Sequence, residues 1–195
     1  MKAANLFFVL FAGTIGGGCG VSVSENPLYS PNAVKTRDEL VGTWVKQEDP
    51  RWKPSTYERM EITKTGDEGV YGVSKVTGRD MTKTTFRLVE LGDSLYLDAL
   101  TPPGMTKDRP PVHLFLLVKI KGDYIGISAV DAPKLKARLK TDPIPFETYD
   151  GGFVMLTAKT DELQRFFRDA GQELFSFDDN HTVFHRVKSE STKSD

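Results

Sequence analysis

The sequence predicts a mostly β fold: an antiparallel up-and-down barrel of eight or nine strands with two short helices late in the chain. Short apolar runs, several alternating with polar residues, recur along the 195 residues, a pattern typical of strands. Gly-Asp and similar turn residues separate these runs, so neighbouring strands are joined by tight turns and are antiparallel. A sheet of that many strands curls, and closing it into a barrel removes its exposed edges.

Nine segments carry the strand pattern. They are Val41–Gln47, Tyr57–Thr65, Gly69–Val76, Thr84–Leu91, Ser94–Leu100, Val112–Lys121, Tyr124–Val130, Phe153–Ala158 and Thr182–Val187. Five of the predicted inward-facing residues are large, which favours a barrel filled by side chains. They are Phe86, Leu95, Leu97, Phe115 and Leu117. An eight-stranded barrel can also hold one small ligand, so both interiors stay open at this point.

Two helices are predicted in the last third of the chain. Thr160 is expected to cap a helix that ends at Gly171. Apolar residues in it recur at helical spacing and indicate packing rather than a cofactor site. They are Leu163, Phe166, Phe167 and Ala170. A shorter helix, 131–140, carries Lys and Arg around most of its circumference. This pattern is typical of a solvated face, and contact with anionic lipid or a partner is the alternative.

The chain divides into four parts by composition. Residues 1–18 combine Lys2, an apolar run and small residues, the pattern of a signal peptide. The apolar run is shorter than the about 20 residues that a membrane-spanning helix needs. Residues 19–35 are rich in Ser, Asn and Pro and are predicted to form an extended tether. Residues 36–188 are predicted to form the barrel domain, and residues 189–195 a disordered tail.

Cys19, the chain's sole cysteine, directly follows three glycines at the end of the apolar leader. This segment resembles the lipobox of bacterial lipoproteins, whose Cys is diacylated and becomes the mature N-terminus. Gly18 matches the small residue that precedes the Cys, whereas Gly16 stands where a Leu is usual. The resemblance implies a lipid anchor in the bacterial cell envelope, and Gly20 after the Cys implies the outer membrane. Ordinary secretion with an unmodified Cys19 is the alternative.

The barrel domain opens with a short helical turn followed by Gly42-x-Trp44 and closes with an aromatic and basic strand that contains Arg186. This arrangement resembles lipocalin and other calycin-type barrels. The resemblance implies that Trp44 closes one end of the barrel and stacks against Arg186. The chain is also similar to small uncharacterised envelope lipoproteins with the same opening, a group without an established activity.

Charge and motif content exclude several function classes. Twenty-six basic and 27 acidic residues give a net charge of −1, which provides no field for nucleic acid. Nucleophile-elbow, zinc-helix and phosphate-loop motifs are absent from the sequence, and the three histidines lack zinc spacing. Asp178–His181 is more typical of a turn than of a metal site. We therefore predict that the protein has no catalytic residues, metal or cofactor. A hydrolase is an alternative, but no sequence motif supports it.

Two residues are candidates for ligand contact. His113 alternates with Phe115 and Leu117, so it is predicted to point into the barrel, either as a ligand contact or as a hydrogen-bonded core residue. Trp52 lies between two prolines in the segment Asp49–Ser55, which either rims the barrel mouth or is a rigid loop that joins two strands. The sequence thus predicts a non-catalytic envelope lipoprotein that binds a small apolar ligand in or at the mouth of the barrel. The alternative is a filled barrel that binds an envelope protein.

Overall fold

The structure is a computed structural model, and it describes residues 22–46, 58–77, 80–101, 111–149, 153–177 and 181–187. These residues form eleven strands and two α-helices. The strands are β1 (Ser22–Ser24), β2 (Gly42–Lys46), β3 (Glu58–Lys64), β4 (Val70–Thr77), β5 (Asp80–Leu91), β6 (Ser94–Leu100), β7 (His113–Lys121), β8 (Tyr124–Ala129), β9 (Phe146–Thr148), β10 (Val154–Leu156) and β11 (His181–Arg186). The helices are α1 (Ala132–Thr141) and α2 (Thr160–Ala170), and 3-10 turns cover Asp38–Leu40 and Gly171–Leu174.

Eight strands close into an antiparallel barrel. Strands β2 to β8 follow one another as hydrogen-bonded neighbours, including the pair β6–β7, and β11 returns to pair with both β8 and β2. The tight turns set this order: Gly122, between β7 and β8, has φ +58°, a backbone conformation that glycine adopts without a steric penalty. The predicted antiparallel barrel is confirmed.

The barrel interior is one apolar core to which all eight strands contribute. Its buried side chains are Leu40, Trp44, Met60, Ile62, Tyr71, Val73, Phe86, Leu88, Leu97, Ala99, Leu116, Val118, Ile125, Ile127 and Phe184. Leu95 packs against this core from a partly buried position. Burial of side chains this large stabilises the fold by about 1.5–3 kcal/mol each.

A second core lies outside the barrel wall. The outer faces of β5, β6 and β7 are covered by α1, α2 and residues 28–33, and their buried side chains form a separate apolar cluster. From the strands it includes Val89, Leu91, Tyr96, Phe115 and Leu117, and from the covering layer Leu28, Leu135, Leu139, Leu163, Phe166 and Phe167. The prediction that Phe115 and Leu117 point inward is therefore wrong. Both faces of β7 are buried, so its apolar residues do not identify the interior.

The helices and two extra strands form one long connection between β8 and β11. The predicted strand Phe153–Ala158 contains β10, which lies outside the barrel, paired with β9 and parallel to β1. Asp131 caps α1, because its carboxylate accepts a hydrogen bond from the Lys134 amide at 3.0 Å. Thr160, in contrast, is the first helical residue, and its hydroxyl donates to the Pro27 carbonyl at 2.9 Å.

Residues 22–35 belong to the folded unit, which corrects the predicted tether. Strand β1 joins the sheet through β10 and one pair with β7, Ser24 with His113. Leu28 is fully buried, and Val34 forms an isolated bridge with Val89. The polar and proline-rich composition of this segment concealed these few apolar residues that hold it against the outer core.

Candidate functional site

The two ends of the barrel differ in chemistry. We call the end that holds Trp44 and Arg186 the capped end, and the opposite end, which holds Lys46, Glu58 and Lys75, the lysine end. Strand directions make this assignment, because β2 runs from Gly42 at the capped end to Lys46 at the lysine end.

At the capped end the predicted stacking of Arg186 on Trp44 is present. The guanidinium carbon of Arg186 lies 4.2 Å from the ring centroid of the fully buried Trp44. The indole N–H donates to the Leu40 carbonyl at 2.9 Å. Gly42 permits the stacking, because a Cβ at this position (φ +142°) would lie 2.6 Å from Arg186 Nη1.

Backbone carbonyls hold the Arg186 guanidinium in place. Its Nη1 donates to the Val41 carbonyl at 2.6 Å, and Nη2 donates to the Glu39 carbonyl. The half-exposed Asp123 carboxylate is 3.7 Å from Nε. The turn Asp38–Leu40 is thereby tied to the last strand, and this end of the interior is filled by a stacked and hydrogen-bonded unit with a structural role.

At the lysine end three charged side chains converge inside the barrel. Lys46 is in phase with Trp44 on β2, Glu58 with Met60 on β3, and Lys75 with Val73 on β4, so all three face the interior. The Glu58 carboxylate lies between the two amines, 3.4 Å from Lys46 Nζ and 3.5 Å from Lys75 Nζ. We call these three residues the lysine cluster.

Burial is unequal across the lysine cluster. The exposed side-chain fractions are 5% for Lys75, 11% for Glu58 and 29% for Lys46. Desolvation lowers the pKa of the Lys75 ammonium, and the nearby Glu58 carboxylate opposes part of that shift. The positive charge of Lys46 also lowers it. Lys75 is thus an interior cation, whereas Lys46 reaches solvent.

The rest of the interior at the lysine end has a polar side and an apolar side. Thr82, the β5 partner of Lys75, continues the polar side. Across the barrel, Ala99 belongs to the apolar core, and Leu114 and Ala129 pack against it from partly buried positions. Charged groups thus face small and apolar side chains, above the large aromatic residues near the capped end. Such a surface can bind a molecule that has both a polar and an apolar part.

His113 lies on the outer face of the barrel wall, contrary to the prediction that it points inward. It shares that face of β7 with Phe115 and Leu117, which belong to the outer core. Its Nδ1 is 2.6 Å from an oxygen of Asp98, whose side chain is 1% exposed. The other Asp98 oxygen accepts the Leu28 amide at 2.7 Å. His113 is therefore a hydrogen-bonded residue of the wall.

The Asp98 and His113 pair fastens the N-terminal segment to the barrel. The ring of Tyr29 meets His113 edge-on, with 6.2 Å between ring centroids, and the Arg87 guanidinium lies 4.2 Å from the Tyr29 ring centroid. Asp98 also binds the amide of Leu28, the residue that precedes Tyr29. These contacts join strands β5, β6 and β7 to residues 28 and 29 and give His113 a structural role.

Several predicted site residues lie outside the described residues. They include Cys19, Trp52 and the acidic part of the Asp178–His181 segment. Within the described ranges, His, Cys, Asp and Glu side chains form no group of three that could hold a metal ion. The helices in the same ranges are too short or too polar to cross a membrane.

Sequence reasoning missed the lysine cluster, although a signal for it is present. Tyr71, Val73 and Lys75 alternate on β4, and the first two are buried in the interior core. A lysine in phase with inward-facing apolar residues indicates a buried cation. Glu58 occupies the same phase on β3 as Met60 and Ile62, which supplies the partner charge.

Comparison with known proteins gives no further constraint. No family model, curated protein or solved structure matches this chain.

Proposed function

We propose that this protein is a non-catalytic lipoprotein of the bacterial cell envelope that binds a small, partly apolar ligand at the lysine end of its barrel. The observation that carries the proposal is the change of chemistry along the interior, from an apolar core at the capped end to a buried charged cluster at the other. Ligand sites are mainly apolar and contain a few convergent polar groups.

The packing of the interior favours the lysine end over the centre of the barrel. Trp44, Tyr71 and Phe86 fill the interior toward the capped end, and Tyr71 and Phe86 stack with 5.2 Å between centroids. Near the lysine end the side chains of the interior include the small residues Ala99 and Ala129. A ligand at the lysine end leaves the large aromatic core intact.

The proposed lipid anchor rests on the leader and on Cys19. Two residues separate Cys19 from β1, and a chain of that length spans at most about 10 Å. Because β1 is part of the sheet, an acylated Cys19 holds the domain close to the bilayer rather than on a long tether. Two or more acyl chains give stable anchoring. In this proposal the membrane is the outer membrane.

Labelling with a fatty-acid analogue in the native host tests the anchor. The wild-type chain should incorporate the label, and Cys19→Ser should not. Equal labelling of both chains contradicts acylation at Cys19. The labelled chain should fractionate with the outer membrane, and fractionation with the inner membrane contradicts that part of the proposal.

Titration with a neutral solvatochromic naphthylamine probe tests ligand binding. The test uses the full chain carrying Cys19→Ser, which removes the proposed acylation site, and we expect saturable binding of one probe per chain. Ala129→Phe fills the lysine end and should weaken probe binding about 10-fold or more, the effect of losing roughly 1.4 kcal/mol. Ala137→Phe, at an exposed position of α1, is the matched control. Absence of saturable binding, or equal binding to both variants, contradicts the proposed site.

An envelope protein that binds a protein partner is the second candidate. The observation that favours it is the contribution of all eight strands to one interior core. Exposed apolar side chains, Leu100 at 50% and Phe146 at 42%, lie on the outside. If the probe does not bind and Leu100→Ser abolishes crosslinking to one envelope protein in cells, this second function replaces the first.

A further inference from the structure

We infer that the ligand carries a single anionic head group, which binds to Lys46 and Lys75 beside the Glu58 carboxylate, and that its apolar part lies against the opposite wall of the lysine end. This inference rests on the proposed function and specifies its ligand class: an amphiphile with one negative charge. The observation behind it is the convergence of two ammonium groups on one carboxylate inside the barrel.

The register of the strands brings the two lysines together. Lys46 and Glu58 are directly opposite each other across β2 and β3, because Trp44 pairs with Met60 in that ladder. Glu58 pairs with Thr77 on the other side, which places Lys75 diagonally across from it. Both amines therefore approach one carboxylate from two neighbouring strands and share one small region of the interior.

The charge of the lysine cluster selects the sign of the ligand. Its three side chains together carry one positive charge, with two ammonium groups and one carboxylate. A cation as buried as Lys75 has lost most of its hydration, so negative charge nearby is worth more than at the surface. A monoanion brings the sum of cluster and ligand to zero, whereas a second cation or a dianion does not.

The shape of the lysine end selects an amphiphile rather than a small inorganic anion. Polar residues continue from the cluster along β4 and β5 to Thr82. The facing wall presents Ala99, Leu114 and Ala129, which offer an apolar surface of modest side-chain volume. An anionic group at Lys75 thus places the attached apolar part against this wall.

Three ten-carbon probes test the inference on the full chain with Cys19→Ser at pH 8. They are decanoate, decan-1-ol and decyl phosphate, each measured by displacement of the neutral naphthylamine probe. Decanoate should bind at least about 10-fold more tightly than decan-1-ol, since its carboxylate forms a charge-assisted hydrogen bond to an ammonium group that the alcohol cannot form. Decyl phosphate, largely a dianion at this pH, should bind more weakly than decanoate.

Lysine variants locate the head group. Lys75→Met should reduce decanoate affinity to about that of decan-1-ol and leave decan-1-ol binding unchanged. Lys46→Met should weaken decanoate binding by a smaller factor, and it serves as the test if Lys75→Met does not fold. Lys83→Met is the matched control, because Lys83 is exposed on β5 and points away from the interior.

The outcomes separate the two proposals. Binding of decanoate and decan-1-ol with equal affinity, unaffected by either interior lysine, overturns the anionic head group and leaves the proposed function standing. Tighter binding of decyl phosphate than of decanoate overturns the monoanion. If the naphthylamine probe itself does not bind, the proposed function fails, and the head-group inference fails with it.

Discussion

Both ends of the barrel contain a cation in the interior, but the two cations have different partners. At the capped end, Arg186 donates to the carbonyls of Val41 and Glu39 and stacks on Trp44. At the lysine end, the amine of Lys75 lies 3.5 Å from the carboxylate of Glu58. Neutral carbonyls and an aromatic ring hold the first cation, with the half-exposed Asp123 carboxylate farther away at 3.7 Å, whereas a buried carboxylate holds the second.

This difference assigns separate roles to the two ends. Carbonyl acceptors and an aromatic ring do not titrate and cannot rearrange without unfolding the turn at Asp38–Leu40, so the capped end is a structural unit. Two flexible ammonium groups that share one carboxylate can also pair with another anion. The lysine end is therefore the part of the interior that can respond to a ligand, to pH and to salt.

Removal of Trp44 should produce the largest effect on stability. Trp44→Ala deletes a fully buried side chain and the surface on which Arg186 stacks, and truncating a buried aromatic residue costs about 3–5 kcal/mol. The measurement is the free energy of unfolding in urea. Tyr124→Ala, a half-exposed aromatic position, should change that free energy by less than about 1 kcal/mol. Equal losses in both variants contradict the structural role of the capped end.

The hydrogen-bonded pair of Asp98 and His113 on the outer wall, near the lysine end, should give the second largest effect on the free energy of unfolding. Asp98→Ala leaves the buried amide of Leu28 and the ring of His113 without their shared acceptor, and the expected loss is about 3 kcal/mol. Asp98→Asn keeps an oxygen that can accept the Leu28 amide and should lose less. Asp93→Ala, in an exposed turn, should change stability by less than about 0.5 kcal/mol. If Asp98→Ala leaves the free energy of unfolding unchanged, residues 28 and 29 are not fastened to the barrel by Asp98.

The sequence predicts the barrel wall better on one side than on the other. Strands β3 and β4 have one buried and one solvated face, so Met60 and Ile62 alternate with polar residues and their inward direction is readable. Strand β7 is buried on both faces, because α2 and its neighbours cover the outside. No local pattern distinguishes Phe115 from Leu116 on such a strand, and the error for His113 has the same cause.

Long-range contacts limit what the sequence predicts about the candidate site. Trp44 and Arg186 are 142 positions apart, and their stacking was predicted from a family resemblance rather than from periodicity. The lysine cluster joins three strands, and its members appear as ordinary surface charges until the register places them on one face. The N-terminal segment is similar, since Leu28 is buried by strands and helices distant in sequence.

Replacement of Gly42 sharpens the description of the capped end. Gly42→Ala and Gly122→Ala both place a Cβ at positive φ. The backbone cost is about 1–2 kcal/mol at Gly122 (φ +58°) and about 1–3 kcal/mol at Gly42 (φ +142°). Only the Cβ at Gly42 meets another group, Arg186 Nη1 at 2.6 Å, whereas the one at Gly122 meets open space. We expect Gly42→Ala to be the more destabilising by about 1 kcal/mol or more. In an Arg186→Met background this additional loss should disappear, and its persistence would show that Arg186 is not what Gly42 accommodates.

The smallest expected effect is a change of stability with pH, which tests the lysine end. Burial lowers the pKa of Lys75 below its ordinary value of 10.5, so between the folded-state pKa and 10.5 the unfolded chain binds more protons than the folded one. Stability therefore rises with pH in that window, and the unfavourable contribution of the charged, buried amine is complete below it.

Urea unfolding of the wild type and of Lys75→Met between pH 7.5 and 10 measures this contribution. The stability of the wild type relative to Lys75→Met should increase as the pH rises, because the variant lacks the titrating amine. Other groups titrate equally in both chains and cancel in the difference. Tyr96, whose pKa burial raises above 10, acts mainly above this range. The same comparison with the exposed Lys83→Met should be flat, and a flat result for Lys75→Met would mean that its ammonium stays hydrated in the folded protein.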